Sequence, residues 1–203
     1  MRRFWNSEAN GNIDGLMQAI FRTPALVVPL VLAACAGGRV DRATVEALNA
    51  RLLANPSATA TLEGWCAERR LADVPRIVAR RGGADKPAGP DIRAELQVGP
   101  AEPVRYRQVQ LVCGTWVLSE ADNWYVPGRL TAEMNRALDE TDTPFGRVVA
   151  PLGFSRRTLS ARNLTDGGAI PPHVLEHRAV LSTAAGVPFS LVVERYTSAV
   201  LAR

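Results

Sequence analysis

Between Asp41 and Ala54 apolar residues recur at helical spacing, with Val45, Leu48 and Leu52 on one face, and this predicts an amphipathic helix. Asn55-Pro56 stops it. Ser57 stands where an N-cap is needed for a second helix running to about Arg70, with Leu62, Trp65 and Cys66 on a shared face. Further along, the period falls to two. Val104, Tyr106, Gln108 and Gln110 alternate with Arg105, Arg107, Val109 and Leu111, the pattern of a strand. Cys113-Gly114-Thr115 then turns the chain into a second strand, Trp116 to Val126, ended by Pro127-Gly128. Shorter strands are expected at Pro75–Ala79 and Arg156–Leu164, and a last pair at Arg178–Ser182 and Phe189–Tyr196 around the Ala185-Gly186 turn. Thr131 caps a helix through Leu138, and Thr143-Pro144-Phe145-Gly146 is a tight connection. Arg80–Pro90 and Asn163–Pro172, dense in glycine and proline, read as loops. Strands outnumber helices without alternating strictly with them, so the expected fold is α+β, a single antiparallel sheet with flanking helices.

Composition narrows the function classes. The chain has 203 residues, room for one well-buried domain and a short extension. With 47% hydrophobic and 22% charged residues, neither wholesale disorder nor a multi-pass membrane protein fits. The net charge of +4 is small and dispersed, and no nucleic-acid partner is expected from it.

The front of the chain has its own character. Pro24 to Ala34 is an apolar run of eleven residues, too short for the roughly 20 that a membrane-crossing helix needs but suited to the core of an export signal. Leu32-Ala33-Ala34-Cys35 resembles a bacterial lipobox, with Met17 as a tidier start than Met1. The expectation is therefore a targeting segment over 1–34, a domain over 35–203, and lipidation at Cys35. That makes the protein a periplasmic lipoprotein anchored to the membrane. The alternative is a buried N-terminal helix and a cytoplasmic chain. Cys66 and Cys113 are then either a disulfide pair or two unrelated buried thiols.

From about Ala50 to Leu201 the chain resembles the chorismate-lyase-like family, a fold shared with the ligand-binding domains of certain bacterial transcription regulators. The motifs that carry the resemblance are Leu52-Leu53-Ala54-Asn55-Pro56-Ser57-Ala58-Thr59, Tyr106-Arg107-Gln108-Val109, Tyr125-Val126-Pro127, Thr143-Pro144-Phe145-Gly146-Arg147, and Gly186-Val187-Pro188 leading to Leu191-Val192-Val193-Glu194. The resemblance implies cofactor-free elimination of pyruvate from chorismate or a related enolpyruvyl or aromatic acid. It places substrate contacts on Ala58, Arg107 and Phe145, and proton transfer on Glu194. A planar guanidinium such as Arg107 can hold a carboxylate bidentately. A desolvated Glu194 could keep a proton for the leaving enolpyruvyl group. Where the family carries a second arginine this chain has Asn123, which offers hydrogen bonds but no charge. The other reading is a non-catalytic module that holds a small aromatic carboxylate in the same pocket.

Other patterns point less far. His173-Val174-Leu175-Glu176-His177 fits the H-x-x-E-H signature of one metallopeptidase class. Pro171-Pro172 before it and a strand after it oppose the helix that chemistry needs, so no metal site is expected. Arg156-Arg157 and Arg80-Arg81 read as solvated faces.

Overall fold

The computed structural model describes residues 41–166 and 168–203. The expected targeting segment 1–34 and Cys35 lie outside the described residues.

Two capped helices begin the described chain. In α1 (Arg42–Ala54) the Asp41 carboxylate accepts the Thr44 N–H, and in α2 (Ala58–Glu68) Ser57 Oγ accepts that of Ala60. These caps satisfy donors that a helix start leaves free. Val45, Leu48 and Leu52 are buried from α1, and Leu62, Trp65 and Cys66 from α2. They form one apolar cluster with sheet residues such as Ile77, Leu111, Leu118 and Tyr196.

The six strands are β1 (Ile77–Gly82), β2 (Arg105–Cys113), β3 (Trp116–Tyr125), β4 (Ser155–Asn163), β5 (His173–Ser182) and β6 (Pro188–Thr197). They form a single sheet in the order β1-β2-β3-β6-β5-β4, and every neighbouring pair is antiparallel. This is the α+β antiparallel architecture expected from the pattern. The β2–β3 turn needs Gly114 at φ +57, a left-handed conformation in which a Cβ would also meet Ala72 at 2.9 Å.

Register decides what the sheet presents. Arg107 lies opposite Asn123, which lies opposite Val192. Ala121 lies opposite Glu194, which on its other side faces His177. Because side chains alternate along a strand, these rows share the face that packs on α1 and α2. The other face carries Tyr106, Trp124, Val180 and Leu191, covered by Ile92 and Leu96 of α3 (Pro90–Leu96). Two short helices, α4 (Ala132–Glu140) and α5 (Phe145–Val148), fill the connection from β3 to β4.

Three local expectations change. The segment 80–90 is not all loop: β1 continues to Gly82, and Pro90 starts α3, where its fixed φ and missing N–H cost nothing. Thr143–Gly146 leads into one turn of helix. The H-x-x-E-H segment is the first half of β5, with His173 bonded to Glu120 at 3.0 Å and His177 to Asn49 at 2.7 Å. Cys66 and Cys113 are joined as a disulfide, tying α2 to the end of β2 with their Cα atoms 6.4 Å apart.

Candidate functional site

A cavity opens between the inner sheet face, the start of α2, and α5. Its walls bring together Ala58, Arg107, Asn123, Phe145 and Glu194, the five residues singled out from the sequence, along with Thr59, Gly146, Phe154, Arg156 and Leu181. Each arrives for a local reason. Arg107 follows the same alternation that turns Val109 and Leu111 inward. Asn123 is its partner across the β2–β3 pair. Ala58 is the first residue of α2. Of the four N–H groups that a helix start leaves free, Ser57 goes to Asn55 Oδ1 and Ala60 to Ser57 Oγ, which leaves those of Ala58 and Thr59 beside the cavity. Gly146 lets α5 come close, since a Cβ there would meet Thr59 Oγ1 at 3.1 Å. The pairing of Arg147 with Glu63 holds α5 against α2.

The buried side-chain atoms of the walls that lack a partner among the described residues are all donors. Arg107 is 8% exposed, its Nε and Nη1 have no partner among the described residues, and Nη2 reaches only the Thr143 carbonyl at 3.5 Å. Burial, reinforced by the nearby Arg81, holds its pKa below the usual arginine value. Asn123 Oδ1 accepts from Ser190 Oγ at 2.6 Å while its Nδ2 donor is unpartnered. Glu194 Oε2 accepts from Arg156 Nη2 at 2.6 Å and from the Tyr196 hydroxyl at 3.0 Å. Burial works against the charge on Arg156, but Glu194 prevails and holds its pKa above the ordinary value. Burial and the adjacent Glu194 also push the Tyr196 phenol well above its usual range.

Arg156 is the residue that the sequence reading missed. Its side chain is 5% exposed and ion-paired, not solvated, whereas Arg157 on the opposite face is open and pairs with Glu95. Arg80 and Arg81 are exposed as expected. Asn123 does leave its position without charge, yet β4 supplies a second guanidinium from the other side of the cavity. The pattern of β4 carries a faint signal: alternation puts Arg156 and Arg157 on opposite faces, but no apolar side tells which face is inner.

Size limits what can occupy the site. The cavity measures about 40 Å³, against the roughly 150 Å³ of one that takes benzene. In this conformation it suits an anion of a few atoms, and an aromatic ring needs Phe145 or Phe154 to move. No group of three or more potential metal ligands is found among the described residues.

The topology defines the fold class: a single antiparallel six-stranded sheet with flanking helices, the chorismate-lyase-like fold. PhnF from Mycobacterium smegmatis has a similar structure, with a TM-score of 0.50 and 14% identity over 70% of this chain and 64% of that one. The chain thus spans less than two thirds of PhnF. A GntR-family transcriptional regulator from Enterococcus faecalis V583 matches with a TM-score of 0.43 and 14% identity, over 59% of this chain and 93% of that one. No protein-family model matches. The chain belongs to the family of the uncharacterized protein y4mC of Sinorhizobium fredii (strain NBRC 101917 / NGR234), which is 51% identical over 179 residues, 78% of this chain and 76% of that protein.

These matches correct three expectations. The recognition as a divergent chorismate lyase with a lipoprotein-type signal is corrected: the likeness to PhnF, at 14% identity, carries over the fold and not the reaction. The expected partners are corrected with it: a membrane anchor has no support among the described residues, and a likeness of fold gives no ground for excluding nucleic acid. The periplasmic, lipid-anchored location is withdrawn as well: the likeness is one of fold, and the segment that suggested export lies outside the described residues. Among the described residues no helix is long and apolar enough to cross a membrane.

Proposed function

We propose that this domain binds a small organic carboxylate in the cavity and does not turn it over. The observation that carries the reading is Arg107: a guanidinium 8% exposed, with two N–H edges unpartnered and facing a small cavity. A buried donor left without a partner costs about 1–3 kcal/mol, more when charged, and an arriving carboxylate recovers that cost through charge-assisted bonds. Asn123 Nδ2 and the free N–H groups at the start of α2 supply further donors around it. Apolar walls from Phe145, Phe154 and Leu181 accept whatever carbon skeleton the acid carries.

Glu194 fits this reading better than that of an acid catalyst. Two donors converge on its Oε2, an arrangement that suits a carboxylate holding Arg156 in place.

The test is calorimetry and thermal shift on the full chain with acetate, pyruvate, benzoate and 4-hydroxybenzoate, alongside chorismate with pyruvate release as the readout. The expected result is saturable binding of at least the smallest acids, weakened by about 1.5–3 kcal/mol in Arg107→Ala, and no pyruvate from chorismate. Binding that survives Arg107→Ala unchanged would remove Arg107 from the site. Stoichiometric pyruvate release would overturn the non-catalytic reading.

A further inference from the structure

Three charged side chains border the cavity, and they do not act alike. Arg107 faces the cavity unpaired, whereas Arg156 is neutralised internally by Glu194 at 2.6 Å, with both members of that pair almost fully buried. The cavity therefore offers one net positive charge. A ligand carrying one negative charge balances it. A dianion leaves an uncompensated negative charge in a small, mostly apolar cavity of about 40 Å³, where it is poorly screened. It could take Arg156 as a second partner only by stripping that arginine from Glu194, which would strand Glu194 with the Tyr196 hydroxyl alone.

We infer that Glu194 is the residue that sets ligand charge: by occupying Arg156 it restricts the cavity to monocarboxylates. The inference rests on the reading of the cavity as a carboxylate site and adds to it the charge class of the ligand. It also gives Arg156 a definite part, since the Nε of this buried guanidinium is unpartnered and remains available to a ligand that leaves the ion pair intact.

The decisive probes are malonate and malonamate, which have nearly the same shape and differ by one charge, at a pH where both carboxyls of malonate are ionised. Affinities are measured by calorimetry at constant ionic strength for the wild type, Glu194→Gln, Arg156→Gln, and the double variant carrying both changes. The wild type should prefer malonamate by about tenfold or more, the scale of a single charged hydrogen bond. Glu194→Gln frees Arg156 and should reverse the preference toward malonate. The double variant returns the cavity to one net positive charge and should restore the preference for malonamate. Arg156→Gln leaves the cavity neutral and should weaken both. If Glu194→Gln does not fold, Arg156→Gln decides: it must weaken both ligands, and the double variant, which restores one net positive charge, must recover the wild-type affinity and preference.

A wild type that takes malonate as tightly as malonamate overturns the charge rule. So does a preference that stays constant across the variants. If Arg107→Ala abolishes binding while the preference ignores Glu194, the carboxylate site stands and the charge rule fails. If Arg107→Ala leaves binding untouched, the site itself fails and takes the rule with it.

Discussion

Replacing Arg107 by methionine should stabilise the protein and blind it to its ligand. The side chain is 8% exposed, its Nε and Nη1 are unpartnered, and its one bond, to the Thr143 carbonyl, is at the 3.5 Å limit. Methionine keeps most of the apolar stem and removes the charge. The relief is the desolvation penalty of the stranded donors, about 1–3 kcal/mol, together with the repulsion from Arg81 that helps depress the arginine's pKa. For a domain of this size each kcal/mol moves the melting temperature by roughly 2–4 °C. Urea unfolding of both proteins without added anion, comparing midpoints at equal slope, measures the difference. Saturating carboxylate should then close the gap from the wild-type side, because only the wild type gains binding energy. An Arg107→Met protein that is less stable than the wild type by 1 kcal/mol or more would show that the arginine is a structural element, and the argument for a ligand would lose its basis.

Three further outcomes follow from the same geometry. Reducing the Cys66–Cys113 disulfide, which closes a loop with a sequence separation of 47, should cost about 4 kcal/mol by loop-closure entropy; urea midpoints with and without reductant, and in Cys66→Ser/Cys113→Ser, check it, and no change would mean the bridge contributes nothing. Phe145→Ala should lower stability by about 3–5 kcal/mol and, if it folds, admit benzoate better than the wild type does, since Phe145 lies between the cavity and the Tyr125–Phe189 aromatic cluster. Burial holds the His177 imidazole below its ordinary value of 6.5, with Glu194 opposing and Arg156 assisting. The unfolded chain then binds the extra proton, so stability should fall as pH drops through about 6.5 and below; His177→Gln should flatten that part of the urea-midpoint profile, and an unchanged slope would assign it to another group.

Much of this protein was legible in its pattern. Helical spacing of Val45, Leu48 and Leu52, the Ser57 and Thr131 caps, and the alternation through β2 depend on neighbours within a few residues, so sequence alone settles them. The same alternation placed Arg107 on the side of Val109 and Leu111, and hence inward. The start of α3 could have been read from Pro90 followed by Asp91, but the surrounding glycines and prolines hid it.

What tertiary structure decided was pairing across the sheet. β4 has no apolar face, so only its register with β5, Arg156 opposite Leu181, turns Arg156 toward Glu194 and Arg157 toward solvent. The Cys66–Cys113 bridge was one of two open readings until α2 was seen to lie over the end of β2. Local sequence specifies which side chains share a face of their own element, because that is a matter of backbone period. Which faces meet, and so which charges neutralise each other beside a buried cavity, depends on contacts between residues tens of positions apart.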